Sequence, residues 1–585
     1  MKKIFILVII AGVSLSGCYD LDTYPGHTLS QSLFWETEAH VKQGLTGVYD
    51  VMHYEYVYGT KFFFDYLSEV AIGWQEAIQY MTGIYSDRSG PYIDPQARWQ
   101  YVYEGIQRAN HFISKVSELS FLDDNKKSAY IAEAKFLRAL FYFYLLDLWG
   151  GVPYYDETTD VGVDYSKMLK PRSTAEEIRA NIIKDLNEAI SKLTVKWDDA
   201  NYGRATKGAA YALRGKVYLY SKEWKNAIAD FEEVVYNKSN NYDYALDEDY
   251  ARIFKLYNGA KSKEMIFSIQ NKGGTGTSYG MPFNLHMGTR GSYGSCWNTM
   301  MPSTELVDMY ELPDGRPFDW EEIFPGYNTT PVANGERVTK RKEFLSVELS
   351  GGKVVGLRNA DTAKILNAYK NRDPRLMATV IVPYSYYKGF VGNQATDLLF
   401  ALDGDTQGNE SFGTLRNAAG WITYLWRKFV TEGNLDGAIS DRMHVPFEFP
   451  LIRYADVLLM LAEAYNEDGQ LNKAITELNK VRARKSVNLP GLNSGAAWLE
   501  VANKEQMAAR IRKERAVELA AEGHRFSDLR RWGWNIASAT LSGVDGVNLY
   551  GAYLFKRGFR ERDMLWPIPA IEIERNKALI NNPGW

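Results

Sequence analysis

The chain has 585 residues and a formal net charge of −4, from 68 basic and 72 acidic side chains. That balance leaves no general footprint for nucleic acid. Two cysteines exclude a disulfide framework and any multi-cysteine metal site, while an apolar content of 45% is ample for a large core.

At the start, Lys2 and Lys3 precede an apolar run from Ile4 to Leu15. The run is shorter than the ~20 residues a membrane-spanning helix needs. Residues 1–17 therefore read as a secretory signal peptide. Leu15-Ser16-Gly17-Cys18 fits the bacterial lipobox, which makes Cys18 the expected lipidation site and the first residue of the mature chain. Several acyl chains make a lasting anchor, since each buried CH₂ contributes ~0.8 kcal/mol. No later stretch reaches about 18 uncharged apolar residues. The mature chain is expected to be anchored to a membrane without crossing it.

Helical periodicity dominates the mature chain. Trp99 to Leu119 and Lys126 to Trp149 are predicted as a helical pair. In the second, Ala134, Leu137, Phe141, Tyr144, Leu145 and Leu148 share one face, and Phe136, Leu140 and Phe143 cover the other. A helix apolar nearly all round is a buried one. Gly150-Gly151 and Pro153 end it. Two later segments share a pattern. Tyr218 is followed nine residues on by Ala227 and then Phe231, and Tyr465 is followed nine residues on by Ala474 and then Leu478. Each predicts a helix, a short turn and a second helix of tetratricopeptide type, in which the small alanine lets the pair approach closely.

Between them, residues 243–446 carry Lys272-Gly273-Gly274-Thr275-Gly276, Ser350-Gly351-Gly352 and many Tyr, Pro and Asn. This reads as a long, irregular, loop-rich insertion with short strands, and loops on a rigid scaffold commonly carry binding groups. The expected fold is mainly α, a tetratricopeptide-like helical-repeat scaffold. It divides into an N-terminal helical region (18–242), the insertion (243–446) and a C-terminal helical region (447–585).

Catalytic signatures are sparse. None of the seven histidines sits in a His-Glu-x-x-His spacing, and no Gly-x-Ser-x-Gly elbow appears. The glycines of Gly273 to Gly280 lack the P-loop Lys-Ser/Thr, and Cys296 has no convincing neighbouring base. Glu514, Glu518 and Glu522 share a helix face without the Glu-x-x-His step of a di-iron site. They read as a structural Arg–carboxylate network with Arg515 and Arg525. Arg138 with Asp147, and Arg453 with Asp456, are read in the same way. No enzyme and no cofactor is expected, although 72 acidic residues leave open a glycosidase pair, which needs only two carboxylates about 5–10 Å apart.

Several motifs together resemble the SusD/RagB family. They are Cys18, Leu21, Asp22 and Pro25 at the mature start; Ala132 to Ala139 followed by Trp149-Gly150-Gly151-Val152-Pro153; Arg372-Asp373-Pro374-Arg375-Leu376; and Arg453 to Val457 running to Ala462-Glu463-Ala464-Tyr465. The set continues through Glu514-Arg515, Glu518, Glu522-Gly523, Arg525, Asp528-Leu529 and Arg531-Trp532. It closes on Trp566-Pro567-Ile568-Pro569, Asn576 and Asn582-Pro583-Gly584-Trp585. The resemblance implies a lipid-anchored, cell-surface protein of the outer membrane, of Bacteroidota type, that binds a glycan and delivers it to a SusC-like TonB-dependent transporter. It also implies that the acidic Tyr19-Asp20-Leu21-Asp22 segment accompanies export to the outer surface.

By region and residue type, the resemblance places ligand contacts in two stretches. Trp74, Gln75, Tyr80, Arg88 and Tyr92 come from the first; Arg290, Tyr293, Trp297, Asn298 and Trp320 come from the second. Aromatic rings stack on the apolar face of a pyranose, while Arg and Asn donate to hydroxyls. Trp99, Trp149, Trp532 and Trp566 lie in the hallmark helices and turns and are predicted to pack. A RagB-like peptide ligand, and a repeat adaptor without a small ligand, are the alternatives.

Overall fold

The computed structural model describes residues 34–59, 64–73, 81–82, 94–159, 168–273, 280–281, 283–329, 335–351, 353–357, 361–403, 408–416 and 421–585. Cys18, Trp74, Gln75, Tyr80, Arg88 and Tyr92 lie outside them. Helices α1 (Glu38–Asp50), α2 (Pro95–Glu118), α3 (Asp124–Trp149), α4 (Ala175–Lys192), α5 (Lys207–Tyr220) and α6 (Trp224–Tyr236) pack in series. Local chemistry sets their starts. Asp94 accepts from the amide of Ala97, 2.9 Å, with Pro95 in the first turn of α2. Thr174 and Glu177 form a capping box at α4. Both devices satisfy amides that a helix start leaves unbonded.

Helix α3 is the centre of this array, held between α2 and α4. Phe136, Leu137, Phe141 and Leu145 are fully buried, and so is Glu133. The all-round apolar pattern thus has its cause in neighbours on several sides. Trp99, Trp149 and Trp566 pack edge to face with ring centres 5.4 and 5.5 Å apart, and the Trp149 indole donates to the carbonyl of Pro567 at 2.8 Å. Arg138 does not pair with Asp147. Nine residues of helix put the two on opposite faces, about 13 Å apart along the axis. Arg138 instead meets Asp185 of α4, and Asp147 meets Arg530, both at 2.7 Å.

After the insertion, which includes helices α7 (Glu336–Leu345) and α8 (Thr362–Lys370), come α9 (Tyr454–Glu467) and α10 (Leu471–Arg482). Helix α9 packs directly on α6. The two repeat units read from sequence are therefore neighbours in space, and the insertion leaves and rejoins a continuous helical stack. In each unit the predicted alanine, Ala227 or Ala474, is fully buried. Gly215 supplies a second close approach: a Cβ there would lie 2.6 Å from the Phe231 ring.

Strands among the described residues form antiparallel pairs. These are β1 (Ala71–Gly73) with β3 (Met300–Pro302), β2 (Met265–Ile269) with β10 (Phe449–Arg453), β4 (Val347–Ser350) with β5 (Lys353–Leu357), β6 (Val380–Ile381) with β9 (Leu425–Trp426), β7 (Tyr386–Val391) with β8 (Gln394–Leu399), and β11 (Asp545–Val547) with β12 (Tyr553–Lys556). The β2–β10 pair closes the neck of the insertion, Phe449 opposite Ile269.

Beneath that neck lies a buried network of charges. Glu518, near the end of α11 (Lys504–Glu518), accepts from Arg375 and Arg453 at 2.8 Å and from Arg484 at 2.7 Å. Arg453 also reaches Glu264 at 2.8 Å and Glu522 at 2.7 Å. Burial alone would raise the Glu518 carboxyl, but the guanidinium groups of Arg484, Arg453 and Arg375 outweigh it and hold it well below the usual range. Glu514, Glu518 and Glu522 all pair with cations as expected, but not with Arg515 or Arg525. Their partners are Arg375, Arg482, Arg453, Arg484 and Lys428, and Glu522 lies past the end of the helix at Glu518. The pairing of Arg453 with Asp456 is not found. Arg453 keeps the extended backbone of β10 (φ −127°, ψ 158°), so its side chain leaves with the strand. Asp456 pairs with Arg515 at 2.7 Å instead. In α12 (Arg525–Arg531), Arg525 donates to Glu69 at 2.8 Å, and α13 (Trp534–Leu541) follows.

Candidate functional site

Residues 285–297, at the start of the second predicted stretch, form one closed loop. Its ends are tied where the amide of Trp297 donates to the carbonyl of Leu285 at 2.7 Å. The carbonyl of Thr289 accepts from both Ser292 and Cys296 at 3.0 Å. Strand β7 braces one side: the amide of Phe390 donates to Gly291 at 2.7 Å, and the Tyr387 and Ser292 hydroxyls meet at 2.7 Å. This approach requires glycine. A Cβ on Gly389 would lie 2.5 Å from the Gly291 carbonyl oxygen. From the other side, an antiparallel bridge between Met281 and Val445 brings the turn 441–444 against the loop. Arg442 of that turn donates one nitrogen to the carbonyls of Gly294 and Ser295, at 3.0 and 2.8 Å.

Held in this way, Trp297 keeps 39% of its surface exposed. The edge of His286 meets its ring at 5.5 Å and 87°, and the Arg442 guanidinium sits 5.6 Å from the ring centre. Tyr293, half-buried, stacks on Phe390 with ring centres 5.2 Å apart. Arg290 is exposed on the same loop. The arrangement offers flat rings and donors on a braced backbone, which suits an apolar sugar face edged with hydroxyls. The thiol of Cys296, underneath, is buried, and burial pushes it up to about 12. It stays protonated and is a poor nucleophile.

Strand pairing places the end of β1 beside the Trp297 loop. Gly73, the last residue of β1, stands opposite Met300, three residues from Trp297.

Two predicted contacts do not reach this surface. Trp320 is 5% exposed, enclosed by Phe318 at 5.0 Å, Tyr369 at 5.2 Å and Tyr327 at 5.4 Å, so neither face is open to a ligand. Asn298 has a left-handed backbone (φ +50°), and its buried side chain makes no hydrogen bond through either amide atom among the described residues. Arg442 and Phe390, in contrast, are not marked by the sequence. They arrive from more than 90 residues downstream through a strand and a turn, and no local spacing in the sequence marks them. Among the described residues no group of three or more His, Cys, Asp or Glu side chains is placed to hold a metal ion, and no helix is long and apolar enough to cross a membrane.

The profile described as the SusD family matches residues 263–585, more than half of the sequence. The chain belongs to the SusD family. A second profile, described as starch-binding and associating with the outer membrane, matches residues 21–219. SusD-like protein P2 of Formosa agariphila is 25% identical over the whole of both chains. The starch-binding protein SusD of Bacteroides thetaiotaomicron is 23% identical, covering 84% of this chain and 79% of its own. Among solved structures, a SusD-like protein from Bacteroides fragilis superposes with a TM-score of 0.73 at 25% identity, covering 95% of this chain and 99% of that one. A laminarin-binding SusD-like protein at 24% identity and a TM-score of 0.65 shares the fold. The resemblance read from Trp149-Gly150-Gly151-Val152-Pro153, Arg453 to Tyr465 and the terminal Asn582 to Trp585 thus agrees with the comparisons, and so does the mainly helical repeat scaffold.

Proposed function

We propose that this SusD-family chain is a lipid-anchored protein of the outer-membrane surface that binds an oligosaccharide and delivers it to a SusC-like TonB-dependent transporter. The observation that carries the binding is the Trp297 ring, partly exposed yet fixed from two sides by His286 and Arg442. A ring already held in place loses little freedom when a sugar stacks on it. Tyr293 and Arg290 extend the surface, and Trp74, Gln75, Tyr80, Arg88 and Tyr92 complete it from the segment that follows β1. Relatives named for starch and laminarin support a glycan over a peptide. Binding is passive: Glu514, Glu518 and Glu522 are committed to arginine or lysine partners, and no cofactor takes part. Cys18 supplies the anchor.

The test compares migration in polysaccharide gels with binding to peptide mixtures, and asks which membrane protein copurifies from the native host. Retardation by a polysaccharide together with recovery of a TonB-dependent transporter is expected. Binding to peptides alone, or no ligand with a different partner, contradicts the reading.

A further inference from the structure

Resting on that reading, we infer that the ligand carries an anionic group, a uronate carboxylate or a sulfate ester, read by Arg442 and Arg290. Arg442 is fixed through one terminal nitrogen on the carbonyls of Gly294 and Ser295. Its other two nitrogens have no hydrogen bond among the described residues, and its plane stands by the exposed Trp297 ring. Arg290 projects from the same closed loop, exposed and with no described carboxylate as partner. The acids nearby are already engaged. Asp441 accepts from His444 at 2.6 Å and from the amide of Met443 at 2.9 Å. Glu410, beside Gly291, accepts from the amide of Arg416 at 2.8 Å.

The loop and its bracing turn therefore present two guanidinium groups with no hydrogen-bonded carboxylate among the described residues, although Asp441 lies close enough to Arg442 for the two charges to attract. Guanidinium recognises carboxylate and sulfate through paired donors, and its charge is insensitive to pH in any working range. A neutral saccharide would use the ring and leave both charges unanswered. An acidic one uses both features together, its apolar face on Trp297 and its anion on the free nitrogens.

Gel retardation and titration calorimetry with three probes test this: laminarin as the neutral glycan, polygalacturonate as the uronate and carrageenan as the sulfate ester. Wild type is expected to bind an acidic probe more tightly than laminarin, with affinity falling as salt rises. Arg290→Gln and Arg442→Gln should each weaken that binding about tenfold, as expected for loss of a charge-assisted contact, and should weaken any laminarin binding by a smaller factor. Arg290 makes no hydrogen bond or ion pair among the described residues, so the effect of Arg290→Gln is separate from any disturbance of the loop by Arg442→Gln. Binding to laminarin as tight as to either acidic probe, or acidic binding indifferent to both variants, overturns the inference while leaving glycan binding intact. Failure of all three probes to bind contradicts both.

Discussion

Lys222 shows how a single residue records the repeat. It lies four residues after Tyr218, in the turn between α5 and α6, with φ +64°. Its counterpart, four residues after Tyr465, is Gly469 at φ +80°. A side chain in the left-handed region costs roughly 1–2 kcal/mol, a cost that glycine avoids. Lys222→Gly is therefore expected to stabilise the protein by up to about 1 kcal/mol after the glycine's greater freedom in the unfolded chain is subtracted. A urea denaturation midpoint that fails to rise would show that another contact of Lys222 offsets the strain. At this scale the sequence was partly informative. Trp297 was legible because a large ring beside Asn, Ser and Gly in a loop has no helical face to occupy. Trp320 looked similar but joins Phe318, Tyr327 and Tyr369 in a buried cluster. Tyr369 comes from α8, so the sequence around Trp320 carries no sign of it.

Elements were easier to read than their contacts. Periodicity marked α3, α5, α6, α9 and α10, because burial on a helix face leaves a repeat of three to four residues. Charge pairing was harder. Arg453 and Asp456 are near in sequence, yet the partners of Arg453 are Glu264, Glu518 and Glu522, 65 or more residues away. A strand-to-helix junction between 453 and 456 sends the two side chains apart. The helix pair α5–α6 provides a direct test of packing. With only 2.6 Å between a Gly215 Cβ and the Phe231 ring, Gly215→Val should cost about 1–3 kcal/mol, the range for forced overpacking. Thermal unfolding that is unchanged from wild type would show that the two helices can separate without loss.

The whole molecule depends on the buried charges that join the insertion to the helical stack, through Glu518 and Arg375, and that join the C-terminal helices to one another, through Arg515 with Asp456 and Asp528. In Glu518, Asp456 and Asp528, burial favours the neutral acid, but arginines outweigh it: Arg484, Arg453 and Arg375 for Glu518, and Arg515 for both aspartates. Asp528 is lowered to about 2. The unfolded chain takes up protons below its ordinary carboxylate range, about 3.8 to 4.5, where the folded chain still resists them. The stability these groups supply is fully present above that range and is lost as the pH falls through it toward about 2. Asp65 has the opposite sign. Burial raises it to about 7, so its contribution declines as pH rises through that value. A melting temperature that drops between pH 4.5 and 2 is expected by circular dichroism; one that holds constant would mean the network does not carry the junction.

That junction fixes the frame on which the Trp297 loop is braced, and the loop is where function is placed. Trp297 and Trp498 are exposed to nearly the same extent, 39% and 40%, but Trp498 lies apart, its indole bonded to the carbonyl of Asp314. Titration calorimetry of wild type, Trp297→Ala and Trp498→Ala against the glycan that binds wild type separates a specific platform from general stickiness of exposed rings. Trp297→Ala is predicted to lose about 1–3 kcal/mol of binding, the cost of removing an aromatic anchor, with an unchanged melting temperature, while Trp498→Ala binds as wild type. Full affinity in Trp297→Ala, or an equal loss in Trp498→Ala, would contradict it.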